Sequence, residues 1–123
     1  MVKMVEMDEV VTLQQQMGQE VSPVILINKF NVPQEEVQAF LLAWADDAAF
    51  FKQQPGFIST QLHRGIGGSS GVFINYAVWE SVAHFRQALG QPEFQEALKN
   101  YPPGAVGSPH LFEKVAVPNI CVA

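Results

Sequence analysis

Disulfides, a basic surface and a long apolar run are all missing from this chain. Cys121 is the single cysteine among 123 residues, so no internal disulfide can form and a cross-linked secreted scaffold is excluded. Its place beside the carboxyl end predicts a solvent-near thiol without structural weight. Lys and Arg number 7, scattered along the chain, against 12 Asp and Glu, for a net charge of −5. Phosphate-rich partners need a clustered basic surface, so nucleic acid is not an expected partner. No stretch approaches the roughly 18 apolar residues of a membrane span. The amino terminus, MVKMVEMDEVVTLQQQ, carries acids where a signal peptide keeps its apolar core unbroken. A cytoplasmic protein without membrane contact is the expectation. The three histidines, His63, His84 and His110, lack metal-ligand spacing, and no Cys–His or Ser–His pair stands out. The residues therefore call for no metal and no cofactor.

What is present is apolar. Hydrophobic residues make up 48% of the chain and charged ones 15%, an apolar excess for a single domain of this length. The richest stretch is Val72 to Ser81, VFINYAVWES. Phe73, Asn75, Ala77 and Trp79 share one face of this strand, and Val72, Ile74, Tyr76 and Val78 the other. A strand apolar on both faces has to be covered on both.

Val24 to Phe30 is a second buried strand. Asn31 follows as a candidate helix cap, with Pro33 in the first turn and Glu35 and Glu36 near the positive end of the dipole. Val37, Phe40, Leu41, Trp44, Ala48 and Phe51 then recur at helical spacing and form a core-facing stripe. Pro55-Gly56 stops that helix, and Phe57 to Arg64 alternates as a less buried strand. The glycine-serine stretch 65–71 has no lysine and no following helix, which excludes a phosphate loop and leaves a hairpin connector. Ser81 caps a helix over 82–89, Gly90 ends it, and Pro92 restarts a helical stretch. His110 to Val117 is expected as the last strand. Residues 1–20 are read as an N-terminal extension packed on a single domain, 21–123.

The order β-α-β-β-α-β predicts an α+β, ferredoxin-like fold: a four-stranded antiparallel sheet with both helices on one face. Val24–Phe30 and Val72–Trp79 are its central strands. The uncovered sheet face then predicts a homodimer packed through sheet faces, since covering three or four Val, Ile or Phe side chains is worth roughly 5–10 kcal/mol.

Ile27-Asn28-Lys29-Phe30, Gln54-Pro55-Gly56-Phe57 and Tyr76-Ala77-Val78-Trp79-Glu80-Ser81 stand in an order and spacing that resembles the antibiotic biosynthesis monooxygenase family, over about residues 22–117. The resemblance implies a dimeric α+β barrel. It also implies a range of activities: cofactor-independent oxygenation of anthrones and quinols, haem degradation, isomerisation of aldehyde phosphates, or none.

Asn28 is the first candidate, a polar group in an apolar strand that needs a hydrogen-bond partner in the protein or in a ligand. It also matches an asparagine used by the haem-degrading relatives. Their tryptophan and haem-ligating histidine correspond to Ala88 and Leu98 here, which disfavours haem chemistry. His63 and His84 are the candidates for proton transfer. Phe40, Trp44, Tyr76 and Trp79, with Asn28, are the candidates for holding an aromatic or hydrophobic ligand. Three functions stay open: cofactor-free oxidation of an aromatic or quinol-type molecule, passive binding of a small hydrophobic ligand by the dimer, and haem handling.

Overall fold

The computed structural model describes residues 2–123. Its strands are β1 (Lys3–Met4), β2 (Val24–Asn31), β3 (Phe57–Arg64), β4 (Val72–Trp79) and β5 (Val106–Phe112), and its helices α1 (Leu13–Gln16), α2 (Val37–Phe51), α3 (Val82–Leu89) and α4 (Pro92–Leu98). The sheet runs β1-β5-β2-β4-β3. Its antiparallel core, β5-β2-β4-β3, is the expected ferredoxin-like arrangement with β2 and β4 central.

The expected four antiparallel strands become a five-stranded mixed sheet, because β1 adds to β5 in parallel, pairing Lys3 with Val106 and Met4 with Gly107. Farther along β5 the Gln16 side chain takes over the role of a strand. Its Oε1 accepts from the Leu111 N–H and its Nε2 donates to the Leu111 carbonyl, each at 2.9 Å. The N-terminal segment thus satisfies part of an edge that would otherwise invite pairing with another chain. Val2 also enters the core, at 5% exposure.

Two local expectations are corrected. Asn31 is the last residue of β2, and the chain enters α2 through a tight turn at Gln34–Glu36 preceded by Pro33. The last strand is Val106–Phe112 instead of 110–117. Gly107 and Pro109 read as breakers, yet Pro109 lies past the two-residue pairing with β1, at an edge that asks it for no N–H. His110 is 8% exposed. Ser81 does cap α3, its Oγ accepting from the His84 N–H at 3.1 Å. Within the chain the sheet stays open, with β1 and β3 at its edges.

The two sheet faces differ. Phe73, Ala77 and Trp79 of β4 and Val24, Leu26 and Phe30 of β2 are buried beneath the helices. On the opposite face Val72, Ile74 and Tyr76 of β4 are 36–40% exposed, and Ile58 of β3 is 52% exposed.

Beneath the helices the core forms two clusters. One gathers Phe30, Phe40, Phe73 and Tyr101; the other gathers Val24, Leu26, Ala77, Trp79 and Phe85. Between them, at mid-strand, come Asn28 on β2 and Asn75 on β4, directly opposite each other in register. A polar layer in mid-sheet prevents the two clusters from closing on one another, and the space between them stays open.

Candidate functional site

That space is a partly open cavity of about 160 Å³, walled mainly by apolar groups. A single water needs roughly 10–15 Å³, and an apolar cavity near 150 Å³ accepts a benzene-sized ring. The room is that of an aromatic ligand rather than of a packing defect. Trp44, Phe51 and Phe94 contribute from the helices, Phe57 and Trp79 from the sheet, and Val2, Met4 and Leu13 from the N-terminal segment.

Five polar residues interrupt this lining: Asn28, Asp47, Thr60, Asn75 and Tyr101. The Asn28 Oδ1 accepts from the Ser108 N–H at 3.0 Å. Only a carbonyl oxygen can do that, so the NH₂ of Asn28 is the end left for the cavity. The Thr60 hydroxyl donates to the Asn75 Oδ1 at 2.5 Å, which orients the second amide in the same sense. Two amide donors therefore stand side by side at mid-sheet.

Trp79 is 1% exposed. Phe51, Phe57 and Phe85 meet its ring edge-on at 5.5–5.8 Å and fix its orientation. Its Nε1–H is buried with no acceptor among the described residues. An N–H in that position loses its solvation without compensation, a cost of about 1–3 kcal/mol that a ligand oxygen would relieve.

Asp47 is 9% exposed. The Tyr101 hydroxyl donates to its Oδ2 at 2.9 Å, while its Oδ1 is buried without a hydrogen bond among the described residues. Burial raises the carboxyl from the usual 3.8 to about 6, and the hydrogen bond from Tyr101 lowers it only in part. Burial, with the charge of Asp47, also pushes the Tyr101 phenol well above its ordinary range.

Of the residues singled out in the sequence, Asn28, Trp44 and Trp79 come together on the cavity wall. Asn28 has a backbone partner in Ser108 and also lines the cavity. Phe40 is wholly buried against Phe30, Phe73 and Tyr101, away from the lining. Tyr76 and His63 point to the opposite sheet face, because β4 alternates and His63 pairs with Ile74. His84 is also outside the cavity. Its ring lies over Gly56, its Nδ1 is 2.7 Å from the Ser81 Oγ, and its Nε2 is 3.8 Å from Glu80. Ala88 is buried in the core below Trp79, and Leu98 lines the cavity.

Asp47, Thr60, Asn75 and Tyr101 were not singled out. For two of them the signal was present. Asp47 falls on the α2 stripe between Phe40, Trp44 and Phe51, and Asn75 shares its strand face with Phe73, Ala77 and Trp79. Each breaks an apolar pattern in the same way as Asn28.

Fold and cavity together define a ferredoxin-like α+β protein with a cavity of aromatic-ring size between its sheet and its helices. The chain belongs to the antibiotic biosynthesis monooxygenase family, whose model matches residues 23–100. It is 36% identical over 77 residues to a deoxynogalonate monooxygenase of Streptomyces nogalater, a match spanning 63% of this chain and 64% of that protein. Among solved structures it resembles SnoaB, a cofactor-independent oxygenase from Streptomyces nogalater, at 28% identity and a TM-score of 0.67, covering 80% of this chain and 99% of that one. A protein of Shewanella loihica PV-4, provisionally named a monooxygenase, is 38% identical with a TM-score of 0.64, covering 78% and 97%. Among the described residues no helix is long and apolar enough to cross a membrane.

Proposed function

We propose that this protein is a monooxygenase that oxidises a phenolic or enolic aromatic molecule with O₂, without a bound metal or flavin. Such chemistry asks little of the protein. The substrate must be held in an apolar cleft, lose a proton, and have its oxyanion stabilised while the anion donates an electron to O₂. The observation that carries the reading is a cavity lined by Trp79, whose buried N–H has no partner, and by two oriented asparagine amides. These are donors preset for a negative oxygen, in a setting where water would compete poorly. The similarity to a cofactor-independent oxygenase supports the same reading.

Among the described residues of the lining there is no Lys, Arg or His. A substrate bearing its own carboxylate would find no counter-charge there and would face Asp47, so the substrate is a neutral phenol or enol. The working form is a homodimer. The half-exposed Ile58, Val72, Ile74, Tyr76 and Phe112 share the open sheet face, and covering each by a second copy is worth roughly 1 kcal/mol. Sheet-to-sheet packing of two copies would supply the barrel that one chain leaves open. A reducing cytoplasm suits the exposed, unpaired thiol of Cys121.

O₂ uptake with a panel of hydroxylated anthrones and naphthoquinols, against heat-treated protein, tests the activity. Consumption that saturates with one class of substrate is the expected result. A panel with no uptake above the control, combined with tight binding of the same compounds, would move the protein to the passive-binding reading.

A further inference from the structure

The oxygenase reading leaves one task without an owner, the removal of the substrate's proton. Neither His63 nor His84 reaches the cavity. We infer that Asp47, a residue of the cavity lining carried by α2, is the general base: its buried, unpartnered Oδ1 takes the phenolic or enolic proton of the substrate. The inference rests on the proposed oxygenation and assigns a residue within it.

Two residues of the cavity lining each carry a buried polar atom without a partner, and the two atoms are complementary. Asp47 Oδ1 is an acceptor carried by the helix layer, and Trp79 Nε1 is a donor carried by the sheet. A ligand with one hydroxyl and one carbonyl or oxyanion answers both. A buried carboxylate facing apolar walls is costly to keep unless it is used. Tyr101 fixes its orientation from the segment after α4 by holding Oδ2 at 2.9 Å, which leaves Oδ1 as the reactive oxygen. Tyr101 is also the titratable group set against Asp47 among the described residues. Its phenol stays protonated and serves as a positioning donor.

The step balances as follows. The enol O–H bond breaks and an Asp47 O–H bond forms. The resulting anion passes one electron to O₂, and the carbon radical and superoxide join in a C–O bond. The peroxide anion takes the proton back from Asp47. The remaining hydrogen on that carbon leaves as a proton to the carboxylate, the O–O bond breaks, and the departing hydroxide leaves with that proton as water. In sum a CH₂ group and O₂ become C=O and H₂O, with four electrons lost by the substrate and gained by O₂.

The test uses the full-length protein, a dihydroxyanthrone as substrate and the matching dihydroxyanthraquinone as a non-reacting ligand. Trp44 and Trp79, the two tryptophans of the chain, both line the cavity, so quenching of their fluorescence reports occupancy directly. Asp47→Asn is expected to bind the quinone within about threefold of wild type while kcat falls about 10²–10⁴-fold. Wild-type kcat/KM should rise with pH to a plateau, with its inflection near 6. Tyr101→Phe should move that inflection upward, since it removes the hydrogen bond that favours the carboxylate. A purely structural Asp47 would produce neither effect. Asp47→Asn turning over within a few-fold of wild type overturns the assignment and leaves the oxygenase reading intact. Wild-type protein that binds the quinone but takes up no O₂ overturns the reading, and the assignment with it.

Discussion

Asparagine at position 47 keeps a carbonyl oxygen for the Tyr101 hydroxyl and gives up the negative charge, so Asp47→Asn should stabilise the protein at neutral pH. The magnitude follows from the carboxyl's shift from 3.8 to about 6 on folding. That is roughly two pH units at about 1.4 kcal/mol each, or about 3 kcal/mol. The sign is that of an acid raised by burial. Below the unfolded value both states are protonated and nothing is lost. Between 3.8 and about 6 the folded state holds a proton that the unfolded state has released, so stability falls as pH rises through this window. Above it the full penalty is present. Roughly half is already incurred at pH 5, which leaves about 1.4 kcal/mol to appear between pH 5 and pH 8. Urea denaturation of wild type and variant, at equal protein concentration and at both pH values, isolates the carboxyl as a difference of differences. Asp47→Asn should be the more stable protein at pH 8 by about 2–3 kcal/mol, and by about half as much at pH 5. Parallel pH profiles for the two proteins would refute the placement of an ionisable Asp47 in a desolvated site. A variant more stable and less active than wild type is the pattern expected where function keeps a costly charge.

Three further outcomes follow from the site and its frame. Asn75→Ala removes an amide donor and leaves the Ser108 contact of Asn28 untouched, so kcat/KM should fall about 10²–10³-fold with little change in urea midpoint. Asn28→Ala strands the Ser108 N–H and should in addition cost about 1–2 kcal/mol of stability. At Gly56 the backbone has φ +84°, and a Cβ would overlap the His84 ring. Gly56→Ala should therefore lose about 2–4 kcal/mol by denaturant titration, falling to about 1–2 kcal/mol in a His84→Ala background where only the left-handed strain remains. His84→Ala alone should leave turnover of the anthrone unchanged. Finally, Ile74→Lys places a charge in the open sheet face and should convert a dimer to a monomer in light scattering, whereas the same change at exposed Leu42 should not.

Much of the fold was legible in the sequence because its signals are local. Apolar runs defined β2 and β4, alternation defined β3, the stripe from Val37 to Phe51 defined α2, and Ser81 announced α3. The failures share one cause, that distant partners decided the outcome. Pro109 and Gly107 argue against a strand until β2 pairs with them. Lys3 and Met4 carry no strand signal and become one only because β5 offers a free edge.

The candidate site divides in the same way. The sequence alone determined that Asn28 needed a partner, that Trp79 would be buried at a strand end, and that the sheet would keep one uncovered apolar face. Each follows from periodicity and residue type. Only the tertiary structure decided which polar groups meet. Asn28 and Asn75 lie 47 positions apart and become neighbours through the β2–β4 register, and Asp47 acquires Tyr101 across 54 positions. Alternation had to send His63 and Tyr76 to one face and Asn75 to the other, but which face met the helices could be known only once the layers were assembled. Titration behaviour is the clearest case. A carboxylate's charge is written in the sequence, while its cost depends on how much water the fold leaves beside it.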